Sequence, residues 1–385
     1  MVLLDNLSSL FWRLIPLLFL TIFLLPIIFV LLSLFGNFNE NWDHLTNYVL
    51  PTYVLNSIIL VLGVSAISLV LGVGTAWLVT NYKFFCQSWL EWAIILPLAI
   101  PPYILAYTFT GLFDSYGSAN LIIKSIFSLS NDYVFFPNVR NLYGAITVFA
   151  FTLYPYIYLT TRMAFLNQSR SLMEAGKILG LDNKSLFRRL AVPLVRPAIV
   201  AGLALVIMET LSDFGAVEHF AIQTFTTGIF RTWFGLYDLN TALQLSSILL
   251  IFVAFFIVIE RRERTKMSYS YAASTFKKTK QVQLKGINNF FAFSFCFFPL
   301  FIGFILPVIE LTNWAIFFPS ENLFSKKLLQ SFFNTIWLGM FAGIICTVFA
   351  MAITFLKRFD KGRLLRSASL SLSLGYALPG LVLAV

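Results

Sequence analysis

Residues 171–197 read Ser171-Leu172-Met173-Glu174-Ala175-Gly176-Lys177-Ile178-Leu179-Gly180-Leu181-Asp182-Asn183-Lys184-Ser185-Leu186-Phe187-Arg188-Arg189-Leu190-Ala191-Val192-Pro193-Leu194-Val195-Arg196-Pro197. This charged, amphipathic stretch lies between two long apolar runs and carries the local signs of helix, turn and helix. Ser171 and Glu174 have the spacing at which a hydroxyl and a carboxylate satisfy the open amides of a helix start, so a helix is expected to begin there. Gly180 stands where a left-handed residue ends it, and Asp182 or Asn183 can cap a second short helix running to Leu190. Pro193 and Pro197 are expected to close the motif before the next apolar run. Leu172, Met173, Ala175, Ile178 and Leu179 offer an apolar surface, while Lys184, Arg188 and Arg189 supply charge. Physics alone leaves two readings open: a docking element for a soluble partner, or a capped helix lying on a membrane surface.

The chain around this insert is 59% hydrophobic and 11% charged, with 43 Phe, whereas soluble domains carry about 25% charged residues. The expected fold class is therefore all-α, a polytopic membrane protein. Eight apolar segments reach the roughly 20 residues that a bilayer-crossing helix needs. They are 12–35, 53–79, 89–113, 142–163, 197–217, 242–259, 288–311 and 334–356, and a ninth runs from 367 to 385. The first is too long for a signal-peptide core, and Ser33-Leu34-Phe35-Gly36 is a poor cleavage site, so it is expected to remain as an anchor.

When loops are assigned to alternate sides, all of the 27 Lys and Arg fall on one side except Lys124, Arg140, Arg231, Lys326 and Lys327. The positive-inside rule then puts the N-terminus and the insert at 164–196 in the cytoplasm and Glu40–Leu50 outside. Loop placement thus accounts for the net charge of +10, so membrane lipid is expected as a partner and nucleic acid is not. Cys86, Cys296 and Cys346 lie far apart and suggest neither a disulfide framework nor a cysteine metal site.

A shift of 278 places Asn56-Ser57-Ile58 on Asn334-Thr335-Ile336. It also lays Ile100-Pro101-Pro102-Tyr103-Ile104-Leu105-Ala106 on Leu378-Pro379-Gly380-Leu381-Val382-Leu383-Ala384, and span 12–35 on span 288–311. The expected organisation is two parallel repeats of about six helices each, related by an axis along the membrane normal. The first repeat covers 1–265, a cytoplasmic linker covers 266–287, and 288–385 begins a second repeat. A second copy of the insert is expected near position 452, so the second repeat reads as truncated.

Glu174, Ala175, Gly180 and Pro193 match, at the same spacing, the Glu-Ala-Ala, three residues, Gly, nine residues, Ile-x-Leu-Pro signature of permease subunits of binding-protein-dependent ABC importers, which this chain resembles. Gly176, Leu190 and Val192 are small or apolar replacements within it. The resemblance implies that the insert is a coupling helix seated in a cleft of an ATP-hydrolysing subunit. Because no Gly-x4-Gly-Lys-Ser/Thr phosphate loop occurs in the sequence, ATP is expected to be used by a partner ATPase dimer at the cytoplasmic face, with no cofactor bound by this chain. The remaining implied partner is a periplasmic substrate-binding protein, and the implied location is a bacterial inner membrane.

Met208 to Glu218 and Gln223 to Trp233 resemble the fused, two-half iron(III) importer permeases. Thiamine and phosphonate permeases share that layout. Within this stretch Glu209 and Asp213 stand out, because acids inside a membrane span are costly and face a cavity or a partner. Spaced by four, they are expected to share one helix face. Two readings remain open: carboxylates lining the path of a cation, or groups hydrogen-bonded to helix ends and loop backbone, the second being favoured. No metal site is certain, and His44 and His219 read as solvated loop residues.

Pro97, Pro101 and Pro102 are expected to break the third span, with Glu91 near its cytoplasmic, interfacial end. Thr224–Trp233 reads as an outer re-entrant loop or as the surface that meets the binding protein. A different class, a proton-driven secondary transporter using Glu209 and Asp213, is the competing expectation. A membrane enzyme lacks a supporting cluster of acids, bases or nucleophiles.

Overall fold

The structure is a computed structural model that describes residues 21, 24–38, 41–128, 135–168, 170–182, 185–265, 281–317, 325–359 and 380. The apolar runs are helical, since a helix satisfies every backbone group within its own segment. Helix α1 spans Leu24–Phe35 and α2 spans Asn41–Asn81. Next come α3, Gln87–Ala93, α4, Pro102–Phe113, α5, Ser118–Phe127, and α6, Leu142–Leu166. The insert holds α7, Arg170–Ile178, and the start of α8, Leu186–Ser212. Short helices α9, Gly215–His219, and α10, Phe225–Phe230, precede α11, Leu239–Thr265. Helices α12, Ile287–Phe317, and α13, Lys326–Phe359, complete the described chain. Six of these helices are long and apolar enough to cross a membrane, and the bent pair Gln87–Ala99 with Pro102–Phe127 makes a seventh candidate.

Residues 37–311 and 379–385 form one compact unit, and residues 1–36 and 312–378 form another. In the larger unit α6 is the central post: Ala145, Phe149, Tyr154, Ile157 and Tyr158 are all fully buried. Glycines let its neighbours close in. A Cβ on Gly72 of α2 would lie 2.7 Å from Ile157 Cβ, and one on Gly202 of α8 would lie 2.7 Å from Ile157 Cα. In lipid such close backbone approach replaces the hydrophobic effect as a source of packing energy. The first part of α12 joins this unit, with Phe293 against Phe85 at 5.4 Å. The compact unit runs on to residue 311. A two-residue parallel pairing of β1, Tyr82–Lys83, with β2, Val282–Gln283, ties the start of α12 to the end of α2. Phe85 N also donates to Asn289 Oδ1 at 2.8 Å.

Several span boundaries differ from those expected. Residues 41–50, expected as an outer segment, are helical and continue into α2. They are held by Asn41 Nδ2 donating to Asp238 Oδ2 at 2.8 Å and by Trp42 Nε1 donating to Gln244 Oε1. The third span is bent by 91° at its prolines. The fifth starts at Leu186 instead of 197 and ends at Ser212 instead of 217. Pro193 and Pro197 do not close the insert before that span. Residues Leu186–Ala191 form a π turn that runs straight into the α-helix, with Pro193 in its first turn. The wider turn leaves room for a ring that would clash inside a regular helix.

In the smaller unit, α13 carries Leu328, Phe332, Trp337, Phe341, Ile344 and Met351 exposed. The repeat match lays Asn56-Ser57-Ile58 of α2 on Asn334-Thr335-Ile336 of α13. The other repeat match, at 378–384, falls outside the described residues apart from Gly380, as does the span at 367–385.

Candidate functional site

The insert is a rigid helix–turn–helix. Helix α7 starts at Arg170, one residue ahead of Ser171, so Ser171 lies within the helix and not at its cap. It ends at Gly180, whose φ of +84° is the left-handed conformation that favours glycine. There Leu181 N donates to Gly176 O and Gly180 N to Lys177 O, both at 3.0 Å, the paired closure of a helix end that uses up two otherwise open carbonyls. Asp182 then opens the second helix: its Oδ1 accepts from Ser185 N at 3.3 Å, and its carbonyl accepts from Leu186 N at 2.8 Å.

Gly176 holds the two helices together. A Cβ there would lie 2.9 Å from Leu186 Cδ1, 3.3 Å from Leu190 Cδ2 and 3.4 Å from Leu181 Cδ1. The second helix is rooted in the bundle: Leu186 and Ala191 are buried, and Phe187 stacks 5.0 Å from Trp77, which in turn lies 5.3 Å from Phe165. Gln168 Nε2 donates to Ala191 O at 3.0 Å. On the outer side of α7, Glu174 and Ala175 are exposed, and Ile178 and Leu179 are 86% and 83% exposed. Apolar tips on a stiff support fit capture by another protein, while Pro193 is exposed at the foot of α8.

Glu209 and Asp213 do not share a helix face. Glu209 sits half-buried on the last turn of α8, but Asp213 leaves the helix with an extended backbone. Asp213 Oδ1 accepts from Ala216 N at 2.8 Å and Val217 N at 3.4 Å, which caps α9. Its carbonyl accepts from Thr226 Oγ1 at 2.8 Å. The signal in the sequence was Asp213-Phe214-Gly215, a cap followed by a small residue, hidden inside an apolar run.

Thr224–Trp233 holds the short helix α10, with Phe225–Ile229 buried, Thr224 and Thr227 capping each other's backbone and Gly228 close against Tyr53. Around it Ser57, Thr210, Thr224 and Thr226 line a cavity of about 10 Å³ together with Leu60, Leu211, Phe225 and Leu249, room for roughly one water. His219, expected as a solvated loop residue, is partly buried: its Nε2 lies 2.8 Å from Thr110 Oγ1 and its ring lies 5.8 Å from Tyr107. Burial, with the charge of Arg140, lowers its pKa. Among the described residues no three His, Cys, Asp or Glu come together as metal ligands.

Two features escaped the reading of the sequence. Glu310 in α12 is buried and accepts from Ser118 Oγ at 2.6 Å. Glu91, expected near the interfacial end of its span, pairs with Arg162 of α6, a partner that no local pattern announces.

The described residues thus form an apolar helical bundle that presents an exposed helix–turn–helix. The chain belongs to the family of inner membrane components of binding-protein-dependent transport systems, whose model matches residues 68–262. It is 25% identical over 336 residues to an Fe(3+)-transport system permease protein of Haemophilus influenzae, covering 86% of this chain and 61% of that protein. A sulfate transport system permease protein of Salmonella typhimurium is 27% identical over 182 residues, covering 47% and 63%. A molybdenum transport system permease protein of Haemophilus influenzae is 28% identical over 153 residues, covering 40% and 64%. The chain thus spans less than two thirds of the length of each of these relatives. A chain in the crystal structure of a bacterial alginate ABC transporter, in complex with a periplasmic protein bound to alginate pentasaccharide, has the same fold. The TM-score is 0.50 at 14% identity, over 69% of this chain and 96% of that one.

Proposed function

We propose that this chain is the transmembrane permease subunit of an ABC importer in a bacterial inner membrane, with its N-terminus in the cytoplasm. It forms the path for iron(III) delivered by a periplasmic binding protein and is driven by a separate ATPase dimer. The observation that carries this reading is the insert: Glu174, Ala175, Gly176, Gly180, Leu190 and Pro193 build a stiff element rooted in the bundle core, with Ile178 and Leu179 exposed at its tip. A rigid helix passes a push from a closing ATPase into the spans, whereas a loose loop absorbs it. Iron(III) as cargo is supported by the iron relative matching across 86% of the chain. Glu209 is the acid we assign to the path, with Asp213 beside it serving as a cap. The organisation into repeats, with 266–287 as linker, belongs to the same proposal.

The test is uptake into vesicles that hold the chain with its ATPase and binding protein. ATP-dependent accumulation of iron, abolished when the ATPase is omitted, is the expected result. Accumulation of sulfate or molybdate in place of iron would overturn the cargo. Uptake on a proton gradient without any ATPase would overturn the class.

A further inference from the structure

One face of α6 joins the insert to the break in the third span. Tyr154, Tyr158 and Arg162 follow at four-residue steps and so form a row along that face. Opposite them α3 unwinds ahead of Pro97. There Ile95 N turns to Trp92 O at 3.2 Å and Leu98 N to Ile95 O at 3.1 Å, which leaves Glu91 O and Ile94 O without their helical donors. The row supplies replacements. Tyr158 Oη donates to Glu91 O at 2.8 Å, Tyr154 Oη donates to Ile94 O at 3.1 Å, and the Arg162 guanidinium pairs with the Glu91 carboxylate. Both tyrosines are fully buried. Just beyond Arg162, α6 ends at Leu166, Gln168 grips Ala191 O, and α7 begins.

We propose that Tyr154, Tyr158 and Arg162 are positioning residues for transport. They make the inner half of the broken third span move with α6, so that displacement of the insert is delivered to the break at Pro97–Pro102. This rests on the coupling reading of the insert. A packed helix with fixed bonds at both ends is a contiguous physical link between the two places. The link is specific: two hydroxyls and one ion pair fasten α3 to α6.

The test measures cargo uptake and ATP hydrolysis together, in vesicles holding the complete transporter. The variants are Tyr154→Phe with Tyr158→Phe, which keeps both rings, then Glu91→Arg, Arg162→Glu, and these last two combined. The expected result is hydrolysis within about twofold of the unaltered protein, and uptake lowered roughly tenfold by the double Phe variant and by each single charge reversal. The combined reversal should recover at least about half of the lost uptake, which assigns the effect to the ion pair, while the retained hydrolysis separates it from a folding defect. Uptake unchanged in the variants overturns the link alone, as does a parallel loss of hydrolysis and uptake without rescue. Failure of the unaltered protein to show any ATP-driven uptake overturns the coupling reading and the link with it.

Discussion

Replacing Gly202 tests whether close helix approach holds the bundle together. A Cβ at this position would lie 2.4 Å from Thr160 Oγ1, 2.7 Å from Ile157 Cα and 3.1 Å from Tyr156 O. The threonine hydroxyl can rotate away, but the other two atoms are backbone of the central post. Restoring an ordinary contact of 3.4 Å from the 2.7 Å at Ile157 Cα moves α8 outward by about 0.7 Å, a gap that forfeits a quarter to a half of the local dispersion energy. Such overpacking costs about 1–3 kcal/mol, offset by about 1 kcal/mol of improved helix propensity for Gly202→Ala. The net loss is about 0–2 kcal/mol for alanine, near 1 at the middle of that range, and larger for Gly202→Leu. Gly235, where a Cβ meets nothing within 4 Å, is the control, and Gly235→Ala should change stability by less than about 0.5 kcal/mol. Thermal unfolding of the purified chain in detergent, followed by the surviving monodisperse peak on size exclusion, should rank Gly235→Ala with the unaltered protein. Gly202→Ala should fall roughly 2–4 °C lower and Gly202→Leu lower still. If Gly202→Leu is as stable as the unaltered chain, the close approach is not holding α8 to α6.

Ile178→Asp with Leu179→Asp changes side chains that are 86% and 83% exposed. It should leave thermal stability unchanged while cutting co-purification of the ATPase at least about tenfold, and unchanged co-purification would move the docking surface elsewhere. Gly180→Ala forces a methyl group into a φ of +84° at a cost of about 1–2 kcal/mol, which faster hydrogen exchange of the 174–181 amides should report. Asp213→Asn keeps the acceptor that caps α9 and should be near neutral, whereas Asp213→Leu should lose about 1 kcal/mol. Normal uptake in both, and in Glu209→Asn and Glu209→Leu, would remove these acids from the path. For His219 the pKa is lowered from 6.5, so folding favours the neutral ring. Its contribution is complete above pH 6.5 and is lost as pH falls below it, so the melting temperature of the unaltered chain should drop on acidification by more than that of His219→Gln.

The parts of the fold visible in the sequence are those with local causes. Gly180 and Asp182 act on backbone within a few residues, so the turn of the insert could be read from spacing. Apolar length likewise marked most spans, because the bilayer imposes it. The misreadings come from partners and turns that hydropathy and spacing do not announce. Residues 41–50 look like a polar loop, yet Asn41 and Trp42 are satisfied by Asp238 and Gln244 about 200 residues away, which lets the helix continue. Asp213 ends α8 inside what hydropathy scores as one apolar run, because its carboxylate finds the Ala216 and Val217 amides. Pro193 looks like a stop, but a π turn absorbs it. The role of Tyr154 and Tyr158 depends on which span lies opposite α6, and no local pattern contains that.

The prolines explain where these partners had to be. In hydrocarbon a carbonyl that loses its helical donor has no water to turn to, so protein must meet it or the break is too costly to persist. Pro97 follows the unwinding that frees Glu91 O and Ile94 O, and two buried tyrosine hydroxyls of α6 answer them. Pro155 sits inside α6 itself and withdraws the donor that Phe151 O would use. At that carbonyl Gly303 of α12 approaches so closely that a Cβ would lie 2.5 Å from the oxygen, close enough for its Cα–H groups to serve as weak donors. At both of these breaks a residue on a neighbouring helix has the chemistry that suits the freed oxygen. The 91° bend of the third span is accordingly a fixed joint fastened to α6, not a loose hinge. For the break to open or close, α6 or its hydroxyls must move first. That places control of the joint in the helix that leads directly into the insert.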